Sequence, residues 1–238
     1  MVQCALNGDY GPEDHPDVPV TLEQLVADSA ACSAAGATSV HLHPRRAADG
    51  VESLAPETHD AVVAAVRAAV PTLEISCSTQ EDIDLGGAAD RSTAIRLWKC
   101  PPDVVSLNLC EAGVIELGSA LVDAGIGIEA GVFTLDDADA LLAAPWARGI
   151  HRVLVEVIFE HDDDEAVRLA RAIDERVAVL GRPRLWHGDA RANWAVVDAG
   201  LAAGVDVRVG LEDTLIGRDG GPAPANAAQV ARTIAAHS

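Results

Sequence analysis

His41 and His43 stand two apart in the stretch SVHLHPRR, residues 39–46, inside an apolar run that stops at a proline and two arginines. In an extended chain residues two apart share a face, so both imidazoles point the same way. Two imidazoles on one side, with room for a third donor, are a common start to a divalent metal site. The same pair serves equally well as hydrogen-bonding histidines, so the spacing alone leaves the two readings even. A second stretch shifts the balance. RVGLED, residues 208–213, sets Arg208, Gly210 and Glu212 on one face with Asp213 just beyond. An arginine facing an interior needs an anionic partner, and Glu212 can either be that partner or complete a His-His-carboxylate set.

Residues so far apart in the chain need a scaffold that closes on itself. Eight short β-rich runs recur: 3–7, 39–43, 72–79, 104–109, 125–132, 151–158, 183–188 and 205–212. Each is followed by a segment with helical spacing, and several of these end in glycine where the next strand should begin. The first helix opens with Thr21 as its cap and Glu23 in its first turn. This alternation over 238 residues predicts one (β/α)8 TIM barrel spanning 1–238, with a doubly wound open sheet as the alternative. In such a barrel the first and last strands meet, which brings Glu212 beside the histidines at the C-terminal rim.

Other polar residues fall at the same rim. Ser78 and Thr79 close the third strand, Ser106 and Asn108 lie late in the fourth, Glu129 is placed at the end of the fifth, and His187 ends the seventh. Any one alone reads as a cap or a satisfied core group; together they mark this rim as the candidate site. Cys77 and Cys110 lie nearby but read as small buried groups rather than soft ligands. His151 opens a strand and belongs to the opposite face, and His15, His59, His161 and His237, in loops or helices, are left without a role.

Bulk composition removes several function classes. With 17 Lys plus Arg against 37 Asp plus Glu, the net charge of −20 opposes nucleic-acid or anionic-membrane partners. The five cysteines form no Cys-x-x-Cys pair, no apolar run is long enough to cross a bilayer, and the N-terminus lacks the pattern of a secretory signal. The expectation is a soluble, cytoplasmic protein with reduced thiols. Lys99, the sole lysine, precedes the fourth strand, at the wrong end for Schiff-base chemistry. Carbonyl chemistry here would rest on a Lewis-acidic metal.

The segments GATSVHLHPRRAADG, ISCST, VSLNLCEAG, IEAGVFT, LWHGDA and VRVGLEDTL together resemble the β-keto acid cleavage enzymes, the family of 3-keto-5-aminohexanoate cleavage enzyme. The match runs through nearly the whole chain, which looks like a shortened member with compact loops. The resemblance implies a zinc-dependent barrel, open to other divalent ions, that converts a β-keto acid and acetyl-CoA into acetoacetate and a new acyl-CoA. It assigns His41, His43 and Glu212 as metal ligands and Arg208 with Asp213 as the pair for proton abstraction and oxyanion handling. Ser78, Thr79, Ser106 and Asn108 would hold the substrate carboxylate, and Glu129 is counted with the substrate contacts. A homo-oligomer, dimer or tetramer, is expected.

Two departures stand out. Gln80 and Glu81 follow the Ser-Thr pair where the family has glycines, and Asp9, Tyr10 and Glu13 stand in for a family glutamate that faces an amino group, so an amino-bearing substrate is not called for. Coenzyme A is a polyanion, and Arg45 and Arg46 are the candidates for its phosphates. A zinc hydrolase on the same barrel, or a barrel that binds a metabolite without turnover, are the competing functions.

Overall fold

The computed structural model describes residues 1–83, 88–158 and 162–236; His161 and His237 lie outside them. Eight parallel strands close into a barrel in sequence order: β1 (Val2–Ala5), β2 (Ser39–Leu42), β3 (Glu74–Ser78), β4 (Val104–Asn108), β5 (Gly127–Val132), β6 (Arg152–Val157), β7 (Arg184–Gly188) and β8 (Asp206–Val209). Helices α1 (Leu22–Ala34), α2 (Pro56–Ala69), α3 (Ala88–Leu97), α4 (Val114–Ala124), α5 (Leu135–Ala143), α6 (Asp163–Val177), α7 (Asn193–Ala203) and α8 (Asn226–Ala235) follow the strands in turn. The fold is therefore the (β/α)8 barrel, and the open-sheet alternative is excluded by the pairing of β1 with β8, Gln3 opposite Arg208.

Local chemistry sets the elements. Thr21 and Gln24 form a reciprocal capping box at the start of α1, and α4 and α7 stop at Gly125 and Gly204, both left-handed. Outward strand residues such as Val40, Ile75, Leu107, Ile128, Val155 and Val209 are fully or almost fully buried under the helices. Each contributes about 1.5–3 kcal/mol by burial.

Branched apolar side chains commonly fill the inside of such a barrel. Here the floor is polar. Arg152 donates to Glu129 at 2.6 Å and also pairs with Glu74. Gln3 Nε2 donates to Glu129 Oε1 at 2.7 Å, and the Ser76 hydroxyl donates to Glu129 Oε2. Buried charges persist only when paired and hydrogen-bonded in this way. Glu129 is thus a floor residue, three positions short of the end of β5 rather than at its rim as expected, with no exposed surface.

Strand β8 is shorter than the sequence implied. It ends at Val209, and the amides of Asp213 and Thr214 both fold back to the Gly210 carbonyl at 3.1 Å. A Cβ on Gly210 would collide with the Ala5 carbonyl, so glycine is what lets the turn press against β1. Glu212 and Asp213 reach the site from this turn, not from an extended strand.

Candidate active site

His41, inward on β2, sets its Nδ1 2.9 Å from Ser76 Oγ. Ser76 gives its own proton to Glu129, so it accepts from His41, and the imidazole carries its proton on Nδ1 and a lone pair on Nε2. Burial lowers His41 to about 4, which keeps it neutral. His43, just past β2, sets Nδ1 2.8 Å from Glu52 Oε2, an acceptor that fixes the same tautomer. Asn7 clamps the backbone on both sides, accepting from His43 N and donating to His43 O, each at 3.0 Å.

Both Nε2 atoms converge on one carboxylate oxygen. Glu212 Oε1 lies 3.6 Å from His41 Nε2 and 3.5 Å from His43 Nε2. Ligands at about 2.0–2.2 Å around a tetrahedral ion leave roughly these gaps between donor atoms. Glu212 Oε2 is buried without a hydrogen-bond partner, so the set also has an unspent acceptor. Burial opposes a charge on His43, but Glu212 and Glu52 outweigh it and push the ring up to about 10. A proton there occupies the role a divalent cation takes when ligands bind one. The donors present therefore fit a zinc-like ion.

Gly8 supports Glu212 from below. Its φ is +49°, and a Cβ there would sit 2.5 Å from Glu212 Cγ. Arg208, fixed inside the barrel by β8, donates to Glu212 Oε1 at 2.6 Å and to Asp213 Oδ1 at 2.7 Å. His187 Nδ1 lies 3.4 Å from the same Asp213 oxygen, and His187 Nε2 lies 3.1 Å from Glu156 Oε2. Asp213 Oδ2 is left buried and unpartnered. Burial alone would raise Asp213, yet the Arg208 and His187 charges hold it below its usual value, so it stands ionised with one oxygen to offer.

A cavity of about 340 Å³ opens over these groups, bounded by His43, Arg208, Glu212 and Asp213 on one side and by Asn108 and Glu156 on the other. Gln80 also lines it, whereas Glu81 turns away to accept from Ala112 N at 3.1 Å. Not every expected contact reaches the cavity. The Thr79 hydroxyl is spent on Ser106 O at 2.6 Å, Ser78 Oγ accepts from Gln80 N, and neither these residues nor Ser106 and Glu129 line the opening. Arg45 is not a free cation either: it donates to Gly8 O at 2.6 Å, Tyr10 O at 3.0 Å and Gly50 O at 3.2 Å, stapling two rim loops together. Arg46 pairs with Asp49.

Sequence reasoning passed over Glu52, Ser76, Asn7 and Glu156, and left His187 without a role. Glu156 was findable, because alternation along β6 points it inward one residue before the strand end. Glu52 was not, since only a loop and an isolated antiparallel bridge to Arg45 bring it to His43.

The parallel eight-stranded barrel thus carries a two-histidine, one-carboxylate cluster that could hold a metal ion and a buried Arg–Asp pair at its C-terminal mouth. The family model described as beta-keto acid cleavage enzyme matches residues 1–181 and 165–237, and the chain belongs to that family. Among solved structures it is similar to ObcA without ligand, at 18% identity and a TM-score of 0.76 over 93% of this chain and 62% of that one. ObcA with oxaloacetate matches at 19% identity and 0.75, over 93% and 63%. ObcA with a C4-CoA adduct and oxalate matches at 19% identity and 0.76, over 93% and 64%. A type I 3-dehydroquinate dehydratase from Clostridium difficile shares the barrel at 10% identity and a TM-score of 0.64, over 99% and 90%. At these identities the likeness is one of fold, and the chain spans less than two thirds of the length of the ObcA chains.

Proposed function

We propose that this chain binds a divalent ion, zinc in the first instance, through His41, His43 and Glu212, and exchanges acyl groups between a β-keto acid and acetyl-CoA. The products are acetoacetate and a new acyl-CoA. The observation that carries the reading is the unpartnered Oδ2 of Asp213, whose other oxygen shares Arg208 with Glu212, the carboxylate on which both histidine Nε2 atoms converge. A bound ion would supply Lewis acidity, drawing electron density from a keto oxygen so that the neighbouring C–H becomes acidic.

Asp213 Oδ2 is the acceptor for that proton. Arg208 and His187 hold the other oxygen, which orients the carboxylate and keeps it ionised before the proton arrives. Ser76 and Glu52 hold the two imidazoles in the ligand tautomer without entering the cavity. No lysine is required. Family membership and the ObcA complexes with oxaloacetate and with a C4-CoA adduct support small-molecule keto-acid and CoA-thioester partners. Among the described residues no helix is long and apolar enough to cross a membrane. A dimer or tetramer goes with this reading, to be checked by light scattering.

The test is turnover of a panel of β-keto acids by zinc-loaded protein, followed by formation of acetoacetate and new acyl-CoA. Strict dependence on acetyl-CoA is the expected result. Keto-acid cleavage that continues without acetyl-CoA would replace the reading with a metal hydrolase on the same ligands.

A further inference from the structure

Across the barrel from the histidines, β5 carries Gly131 at the height where its neighbour β4 carries Asn108, its partner in register. A Cβ built on Gly131 would collide with Glu156 Oε1 and fall 2.6 Å from Asn108 Oδ1. The two oxygens thus turn into the same small space, the one a side chain at position 131 would have filled. Both Asn108 and Glu156 also line the cavity of the candidate active site.

Each oxygen is identified by what the other end of its group does. Asn108 Nδ2 donates to Glu111 Oε1 at 2.8 Å, and Glu111, paired with Arg91, is a carboxylate that accepts. The amide oxygen is therefore the end that faces the niche. Glu156 Oε2 is held by His187 Nε2 at 3.1 Å, while Glu156 Oε1 is buried with no hydrogen-bond partner. Two acceptors share a niche in which no described residue donates to either. A buried carboxylate oxygen in that state is one that a ligand donor would satisfy.

We propose that this niche selects the far end of the keto acid, and that it takes a side chain ending in a hydroxyl or an ammonium, seated over Gly131 between Asn108 Oδ1 and Glu156 Oε1. The inference rests on the β-keto acid reading above. A second carboxylate meets two acceptors and is repelled, so the keto diacid bound to ObcA would be a poor ligand here. An alkyl end leaves Glu156 Oε1 unsatisfied, and a site built to accept a hydrogen bond rejects the isostere that cannot give one.

The test uses four β-keto acids of equal chain length, ending in hydroxyl, ammonium, methyl or carboxylate. Zinc-loaded protein is titrated calorimetrically with each in the absence of acetyl-CoA, and turnover is then measured with acetyl-CoA present. One donor-ended acid is expected to bind about 30-fold more tightly than the methyl and carboxylate acids; which one it is tells whether the donor is neutral or charged. In Glu156→Gln the amide oxygen should stay on His187 Nε2, which the Asp213 carboxylate at Nδ1 keeps as a donor. That turns an NH₂ into the niche, so the donor preference should fall about tenfold and the carboxylate acid should gain. Gly131→Ala, with its melting curve as a check on folding, should flatten the series to within about threefold by filling the space. Wild-type protein that binds the methyl or carboxylate acid as tightly as the donor acids overturns the niche, even if it turns them over. Donor-selective binding with no turnover of any acid overturns the cleavage reading and keeps the niche; no binding of any acid overturns both.

Discussion

His43 and Glu52 meet at 2.8 Å through Nδ1, and this contact aims the opposite ring nitrogen at Glu212. Removing the carboxylate in Glu52→Ala should leave the ligand set intact yet weaken divalent-ion affinity about 10–100-fold. Titration against a competing chelator measures this. Affinity equal to wild type would mean that Asn7 and packing alone orient the ring.

Elemental analysis gives the more basic check. About one divalent ion per chain is expected in the wild type, and much less in His41→Ala and Glu212→Ala. Full metal content in either variant would break the His41–His43–Glu212 assignment.

Asp213→Asn keeps the hydrogen bonds from Arg208 through its carbonyl oxygen but removes the proton acceptor. Metal content should hold while kcat/KM falls about 10²–10⁴-fold. A variant that loses metal and activity together would show that Asp213 acts by positioning Glu212.

The charged floor should respond differently from the rim. Arg152→Leu leaves Glu129 buried without its cation, at a cost of about 3–5 kcal/mol in urea unfolding. Adding Glu129→Leu should recover much of that loss. If Glu129→Gln instead raised KM while stability held, Glu129 would belong to the substrate site after all.

His187 gives the pH dependence. Its ring is raised from 6.5 to about 9, burial and Arg208 being outweighed by Asp213 and Glu156. A raised histidine stabilises the fold below its unfolded value and loses that contribution as pH climbs through the folded one. The stability gap between wild type and His187→Gln should therefore be largest near pH 6, roughly 3 kcal/mol in scale, and shrink towards pH 10. A gap that is flat over that range would place a neutral imidazole between Glu156 and Asp213.

The barrel and the convergence of His41, His43 and Glu212 were legible because both depend on periods. Strand alternation put His41 and His43 on one face, and the closure of eight strands brought residue 212 back to residue 41. What failed was what periodicity does not carry. Glu129 was placed a layer too high because its depth depends on where β5 ends, at Val132. The Thr79 hydroxyl and the Arg45 guanidinium looked available, but each is consumed by backbone carbonyls that only the folded loops bring near. Glu52 belongs to a bend whose geometry no local pattern encodes.

The closing of β8 onto β1 also has a meaning in time. A chain emerging from the ribosome exposes both histidines long before the turn that carries Glu212 is synthesised. Two imidazoles without the carboxylate are an incomplete ligand set, and the third donor arrives only when the last strand docks along the first. With the proposed ligand set, metal uptake should therefore follow closure of the barrel, so that a loaded site would report a closed β1–β8 seam.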